Sequence, residues 1–522
     1  MISLKSLQKP KETDSSNNNG QNADGSSNGK VKLNTDLLKG DLFCHLTYMS
    51  ALATSDLPRS QMFELASRLN FTSSVYLKKV HFMAKKLNYD YSEACRMVGE
   101  STKEAEPKSI LLRMAGAMAS GENEAEFLKR EAFVSGETYG EEYERKVESL
   151  KKWTDAYAAL IIGACMVVVI SVISILIFPM APGTITTLTF VMLMSLLLGV
   201  WIMYRASPKE IKTHSFPETS KAQSLSRKTL FYVAIPLAVI SIPILFLMKA
   251  GMGWYLVVLA LCILPTGLLI YIDDKRIDKN DEDVSGFIRS LGGISKVIGT
   301  TITEAVSRLD FGSLASLKKP VIRMNNALKF GIRPDLCWQK FVYETGSEQV
   351  NRSIRIFWDG VAVGGDAGKV GNQASMFALK VAILRNKRNM VSSGFYFLCI
   401  AMHTAMALLL VGIYQIMFNF SKLMQTAAKG TNTARIEAVT QLPTFAFFSD
   451  ASAQLTILNT MVTAMLLMLT IMNPAAIKVV EGGHNYKYLF YLSVMLMISG
   501  LAMLLVPDAI KGMFNTIGAP MQ

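Results

Sequence analysis

The stretch of this chain nearest to a chemical motif is Gly364-Gly365-Asp366-Ala367-Gly368-Lys369-Val370. Glycine-rich backbone beside a lysine is the chemistry of phosphate binding, in which amide N–H groups ring the phosphate oxygens and the ammonium neutralises charge. The spacing does not meet the requirement. A phosphate loop reads Gly-x4-Gly-Lys followed by Ser or Thr for Mg²⁺, and it follows a buried strand. Here Val363 and Val370 hold the two decisive positions, and no strand-like run precedes them. Nucleotide binding at this loop is not expected.

The other reactive side chains are scattered. Cys165, Cys262 and Cys399 lie in long apolar stretches, Cys44, Cys95 and Cys337 in more polar ones, and no Cys-x-x-Cys pair occurs. A metal site or disulfide framework needs clustered ligands, so the thiols are expected to be buried and inert. Of His45, His81, His214, His403 and His484, only His403 falls in an apolar stretch, and no acid lies within a turn or two of it. No nucleophile–base pair emerges. Neither an enzyme nor a cofactor is expected.

Binding chemistry is more plausible than catalysis, because the cations are concentrated. Between 284 and 390 stand sixteen Lys/Arg against seven Asp/Glu, most of the formal +13 of the chain. One cluster is Lys318, Lys319, Arg323, Lys329 and Arg333; another is Arg385, Lys387 and Arg388. The second borders an apolar stretch and is open to two readings, a protein partner or anionic lipid headgroups at about 1 kcal/mol per charge. The first is far from any such stretch, which favours an acidic protein surface. Nucleic acid is not expected, since no recognised binding module accompanies the charge.

These residues must be positioned by a membrane protein. Half of the 522 residues are hydrophobic, and mean hydropathy is +0.29. Seven stretches reach the roughly 20 residues that cross a bilayer as a helix: 156–178, 184–204, 229–248, 252–272, 391–417, 453–473 and 486–506. None is N-terminal, so no cleavable signal peptide is expected. The first thirty residues, rich in Ser, Asn, Gly and Asp, hold too little apolar surface to offset chain entropy and are expected to be disordered.

The chain also repeats itself. Residues 41–132 and 284–376 read as the same helical unit: Glu64-Leu65-Ala66-Ser67-Arg68-Leu69 returns as Glu304-Ala305-Val306-Ser307-Arg308-Leu309. Ser101-x-x-Glu104 matches Thr345-x-x-Glu348, Ser109-Ile110 matches Ser353-Ile354, and Gly121-Glu122 matches Gly365-Asp366. The register drifts from 240 to 244, which implies a four-residue insertion. Ile110, Met114, Ala117 and Met118 share one helical face, as do Ile354, Phe357, Trp358 and Val361. The Ser101 and Thr345 patterns read as capping boxes. Gly121 and Gly365 read as helix-ending turns, after which Glu122 and Asp366 cap the next helix.

Charge sets the topology. The linker 205–228 carries six basic residues against two acidic, and Lys275, Arg276 and Lys279 follow the fourth stretch. The opposite turns hold only Lys249. Cytoplasmic loops retain excess Lys and Arg, so both repeats are expected in the cytoplasm. Segment 418–452 and the tail from Pro507 then fall outside and 474–485 inside; Trp153, Trp201 and Trp254 sit at interfaces. The expected fold is all-α and polytopic. A cytoplasmic tail (1–35) leads to a first helical-bundle domain (36–155), four spans (156–272), a homologous basic domain (273–390), three spans (391–506) and an external tail (507–522).

This layout resembles the platform proteins of type II secretion and type IV pilus machines over roughly residues 40–506. Within that superfamily it is most similar to the archaeal flagellar (archaellar) assembly protein J family. The similarity lies in Gly40-Asp41-Leu42-Phe43, the run Leu46–Thr54, Phe63-Glu64-Leu65-Ala66, Tyr89–Cys95, and Leu112-Arg113 leading to Ser120-Gly121-Glu122, together with the four-span spacer. The resemblance implies a non-enzymatic, homo-oligomeric platform in the cell membrane. It would couple a hexameric cytoplasmic secretion or archaellum ATPase to pilin-like or archaellin subunits. It also implies ATPase docking at the 318–333 cluster and at 385–388, and puts the helix turns at Gly121, Glu122, Gly365 and Asp366. The alternative is a transporter with cytoplasmic regulatory domains. Pro236, Pro243 and Pro265 could kink spans as transporters require, but the spans lack the carboxylates of an ion-coupled carrier.

Overall fold

The computed structural model describes residues 35–55, 57–177, 182–214, 221–299, 301–312, 314–429 and 451–517; the expected N-terminal tail and most of the loop 418–452 lie outside them. The protein is all-α and polytopic, with no strand among the described residues beyond an isolated bridge between Thr213 and Ser347.

The chain first builds six helices: α1 (Thr35–Leu52), α2 (Arg59–Ser67), α3 (Ser74–Lys86), α4 (Tyr91–Ser101), α5 (Ala105–Ser120) and α6 (Glu124–Ile177). Local chemistry sets the breaks. Asp90 caps α4 by accepting from the Ser92 N–H at 2.9 Å, and Gly121 ends α5 at φ +71°. Glu124 and Glu126 then stand at the positive end of the α6 dipole. Helix α6 runs 54 residues and carries the first span.

Three more spans follow on α7 (Pro182–Ala206), on α8 (Lys221–Thr229) continued through a π-helical turn into α9 (Ile235–Leu247), and on α10 (Met252–Ile298). Helix α10 leaves the apolar region and becomes the first helix of a second set. The others are α11 (Ile302–Ser307), α12 (Lys318–Lys329), α13 (Pro334–Thr345), α14 (Glu348–Ala362) and α15 (Ala367–Lys429), which carries the fifth span. The last two spans are α16 (Ala451–Glu481) and α17 (Tyr488–Ile517).

Both units therefore run through six helices in one order, with left-handed turns at matching places. Asn88 (φ +56°) joins α3 to α4 and Gly331 (φ +73°) joins α12 to α13; Gly121 (+71°) and Gly364 (+94°) stand before the long helices. One core serves both units, and Met49, Leu52 and Phe63 of the first join Phe287, Phe341 and Phe357 of the second. Helices α10 and α15 nearly touch at Gly292, where a Cβ would meet the Ala367 carbonyl at 2.6 Å.

Several sequence expectations are corrected here. Ser101 and Thr345 are not N-caps but the last residues of α4 and α13, and each hydroxyl donates to the carbonyl three residues back. The cap of α14 is Ser347, which accepts from the Val350 N–H at 3.2 Å, because left-handed Gly346 delays the helix start. The helix-ending glycine of the second unit is Gly364, not Gly365. The cap of α6 is Asn123, which accepts from the Glu126 N–H at 3.2 Å, while Glu122 pairs with Arg130. Asp366 does cap α15, accepting from the Lys369 N–H at 2.9 Å. At the C-terminus α17 continues through Pro507 to Ile517, since apolar spans tolerate proline.

Candidate functional site: a basic outer face and a buried ionic collar

The first basic cluster lies on the α12–α13 hairpin. Pro320, Val321, Met324 and Leu328 turn the inner face of α12 to the core, which leaves Lys318, Lys319, Arg323 and Lys329 outside. Arg333, just before α13, is exposed too. The five are spread along the length of the hairpin. Lys318 and Lys319 open α12 near Asp283 of α10, which accepts from the Ser316 N–H at 2.7 Å, while Lys329 and Arg333 lie at the far end. Arg323 pairs with Glu344 at 2.7 Å and Arg333 with Asp335 at 3.4 Å, both at the surface.

Helix stability does not account for three of these cations. Lys318 and Lys319 occupy the first turn of α12 and Arg333 the N-cap of α13, where the positive end of the helix dipole disfavours them by about 0.3–1 kcal/mol each. Exposed ion pairs return little of that. A face that holds cations against the dipole is suited to binding anions.

The second cluster is different. Arg385 and Arg388 are buried, so the expectation of an exposed juxtamembrane group is corrected; only Lys387 faces outward, paired with Glu144 at 2.6 Å. The cause is an extended strap, residues 207–214, that follows α7 and threads between the helical units and the spans. Its Glu210 accepts from Arg385 Nε at 2.8 Å, from Arg388 Nη1 at 3.1 Å and from the Tyr143 hydroxyl at 3.1 Å. Burial alone would raise the Glu210 pKa; the two guanidinium groups overcome it and hold the carboxyl at about 2.

Each arginine also gathers other elements. Arg388 donates to the Val480 carbonyl of α16 at 2.9 Å, to the Pro208 carbonyl at 3.0 Å and to Ser207 Oγ at 2.8 Å. Arg385 bonds Asp281 of α10 and donates to Gln349 of α14 at 3.0 Å. Further along the strap, Lys212 contacts Asp274 at 2.9 Å and Asp278 at 2.7 Å, and Lys487 closes the ring on Asp274 and Glu481. Burial disfavours the Lys212 charge, but these carboxylates raise its pKa above the ordinary lysine value. The strap backbone joins in, with the Glu348 N–H donating to the Lys212 carbonyl at 3.0 Å.

The collar extends to the first unit. Arg352 on α14 reaches Asp41 on α1 at 2.8 Å and Glu348 at 3.0 Å, with Phe71 4.6 Å from the guanidinium. The Tyr48 hydroxyl donates to Asp359 at 2.9 Å across the same junction. Charged, largely buried links thus join both units to the strap and to four spans.

Sequence reading missed Glu210 and Arg352 because their partners are remote in the chain. It also missed a polar group among the spans. Tyr157 donates to Asn473 at 3.1 Å, Asn473 bonds His403 at 3.2 Å, and His403 bonds Ser499 at 2.9 Å, all within buried side chains. The glycine-rich segment 364–370 is an ordinary helix start, with Asp366 facing Lys296 at 3.8 Å. No group of His, Cys, Asp and Glu able to hold a metal occurs among the described residues, and all six cysteines are buried.

No family profile matches the chain, and no solved structure matches it. Two proteins resemble it over most of its length. One, from Methanocaldococcus jannaschii, is named flagella accessory protein J and is 21% identical over 480 residues, 88% of this chain and 82% of that protein. A protein of the same name from Methanococcus voltae is 20% identical over 479 residues, covering 88% of this chain and 83% of its own length.

Proposed function

We propose that this chain is the cell-membrane platform of an archaellum-type filament assembly machine, a protein that binds and couples but performs no chemistry of its own. The observation that carries the reading is the similarity to the two flagella accessory proteins over 88% of the chain. That extent is too great to come from the apolar spans alone.

In this reading both helical units face the cytoplasm and the C-terminus lies outside, as the charge of the linkers favours. The basic outer face at Lys318, Lys319, Arg323, Lys329 and Arg333 receives a hexameric secretion ATPase. Force on that face passes down α12 to α14 into the collar, where Arg385 and Arg388 connect it to the strap and the spans. Archaellin or pilin-like subunits are gathered at the spans, and more than one copy of the platform works together.

The test is affinity capture of the tagged, detergent-solubilised protein, with the triple variant K318E/K319E/R323E beside it. Recovery of a secretion ATPase with archaellin-like subunits by the unaltered chain, and loss of the ATPase alone by the variant, is the expected result. An unaltered chain that retains neither after crosslinking would overturn the platform reading. Equal ATPase recovery by both would move the docking site elsewhere.

A further inference from the structure

The turn between α12 and α13 and the first turn of α13 together expose three large apolar side chains amid cations. Phe330 is 84% exposed, Ile332 47% and Leu336 52%. Phe330 and Ile332 flank Gly331, whose positive φ folds the chain into a tight left-handed turn. The base is rigid, since Trp338 and Phe341 of α13 pack on Phe287 of α10 at centroid distances of 6.3 and 5.6 Å. Single exposed apolar residues are ordinary. Three within seven positions on one turn form a patch of the kind that marks an interaction site.

The cations around it are ordered. Arg333, Leu336 and Lys340 follow one another at i, i+3 and i+7 along one face of α13, and Lys329 precedes Phe330. The matching turn of the first unit, Leu87-Asn88-Tyr89, also exposes its two large side chains, at 55% and 42%. There, however, the next residue is Asp90, committed to capping α4, where the second unit has Arg333.

The patch stands well away from the end of the apolar stretch on α10. Asn280 faces the Thr345 carbonyl at 3.5 Å, which fixes the lower end of α13. Trp338 and Phe341 pack on Phe287, farther along α10 than Asn280, so α13 runs away from the apolar stretch and at 1.5 Å per residue takes Pro334 up to about 17 Å beyond that level, itself about 12 Å beyond residue 272 where the stretch ends. About 30 Å exceeds the depth of the headgroup layer. A second copy of this turn is equally basic and would repel its twin.

We propose that Phe330, Ile332 and Leu336 form an apolar plug that seats in a carboxylate-rimmed pocket of a soluble protein, with Lys329, Arg333 and Lys340 pairing with the rim. Apolar anchors inside a ring of charged contacts are the arrangement that concentrates binding energy, and the cations steer the approach. The inference rests on the platform reading only for the partner's identity as an ATPase. The plug itself requires only a soluble, acidic-rimmed partner.

All six native cysteines are buried, so a cysteine introduced at the tip can be labelled selectively. F330C and I332C chains in native membranes would carry a maleimide–benzophenone, itself apolar, and be irradiated with the cell's own cytosol present. E141C, on an exposed stretch of α6, is the control. The expected result is one crosslinked soluble protein from both tip positions, absent at 141 and reduced on the order of tenfold when K329E and R333E are added. If that protein is a secretion ATPase, both readings stand; if it is another soluble protein whose crosslink is lost with K329E and R333E, the plug stands and the ATPase is not its occupant. Crosslinks to lipid or to a second copy only, or no crosslink at all, would overturn the plug.

Discussion

Arg388 on α15, buried, and Glu210 on the strap, nearly so, stand 3.1 Å apart although 178 positions separate them in the chain. A buried pair of this kind gains little over an apolar substitute, but removing one partner leaves an uncompensated charge and costs about 3–5 kcal/mol. Glu210 serves two guanidinium groups, so Glu210→Ala is expected to lower the unfolding midpoint in nanodiscs more than any single change on the outer basic face. Combined with E210A, R388M should cost less than the two single changes added together, because the two groups are partners. A midpoint for E210A equal to that of K318A would show that the collar holds nothing together.

The two turn glycines first paired by sequence do different work, and substitution separates them. Gly121 has φ +71° and open space around a built Cβ, so Gly121→Ala should cost only the left-handed penalty of about 1–2 kcal/mol, and Gly121→Asn less. Gly365 faces the Gly360 carbonyl and Thr54 Oγ1, both 2.6 Å from a built Cβ. Gly365→Ala must therefore part α14 from the end of α1, at about 1–3 kcal/mol or more, and Asn should be worse than Ala there. Thermal shift of the four variants gives the ranking, and the reversed order of Asn and Ala is the decisive observation.

That contrast shows what sequence carries and what it does not. The seven spans are legible because apolar runs of the needed length have no other use, and the exposed side of α12 is legible because Val321, Met324 and Leu328 repeat at helical spacing. Gly364 and Gly365 are adjacent and chemically identical, and only the path of the backbone decides which is left-handed. Arg385 and Arg388 misled for a related reason. Their partner Glu210 is 175 positions from Arg385, and no local pattern announces that a strap will fold back over them. Separation in the chain also hid His403 from Asn473, 70 positions away.

His45 makes the first unit sensitive to acid. Its ring is buried, with Nδ1 2.8 Å from Ser73 Oγ and Nε2 2.8 Å from the Ala66 carbonyl. Burial lowers its pKa to about 4 against an ordinary 6.5. Between those values the unfolded chain binds the proton and the folded chain does not, so stability is full above about pH 6.5 and falls as pH drops toward 4. The protection of amides in α1 and α2, taken relative to their intrinsic exchange rates, should therefore fall over that window, beyond the trend in the rest of the protein. His45→Gln, which cannot titrate, should remove the excess, and an unchanged profile in that variant would assign the sensitivity to other groups.

The polar group among the spans sets the last prediction. Asn473 accepts from Tyr157 on α6 and bonds His403 on α15, and His403 bonds Ser499 on α17, which in turn bonds Thr470 at 2.7 Å. Four spans thus meet through neutral groups where water cannot substitute for a lost partner. Single bonds of this sort in membranes contribute about 0.6 kcal/mol on average, up to about 1.7, so Tyr157→Phe, which loses only the bond to Asn473, should shift stability little. Asn473→Leu breaks two bonds and strands two donors or acceptors, so it should cost about 1–3 kcal/mol, and H403L/N473L should cost less than the two single changes added together. A double-mutant cycle in nanodiscs measures this coupling. Strict additivity would mean that the spans are held by packing and that the polar group is incidental to it.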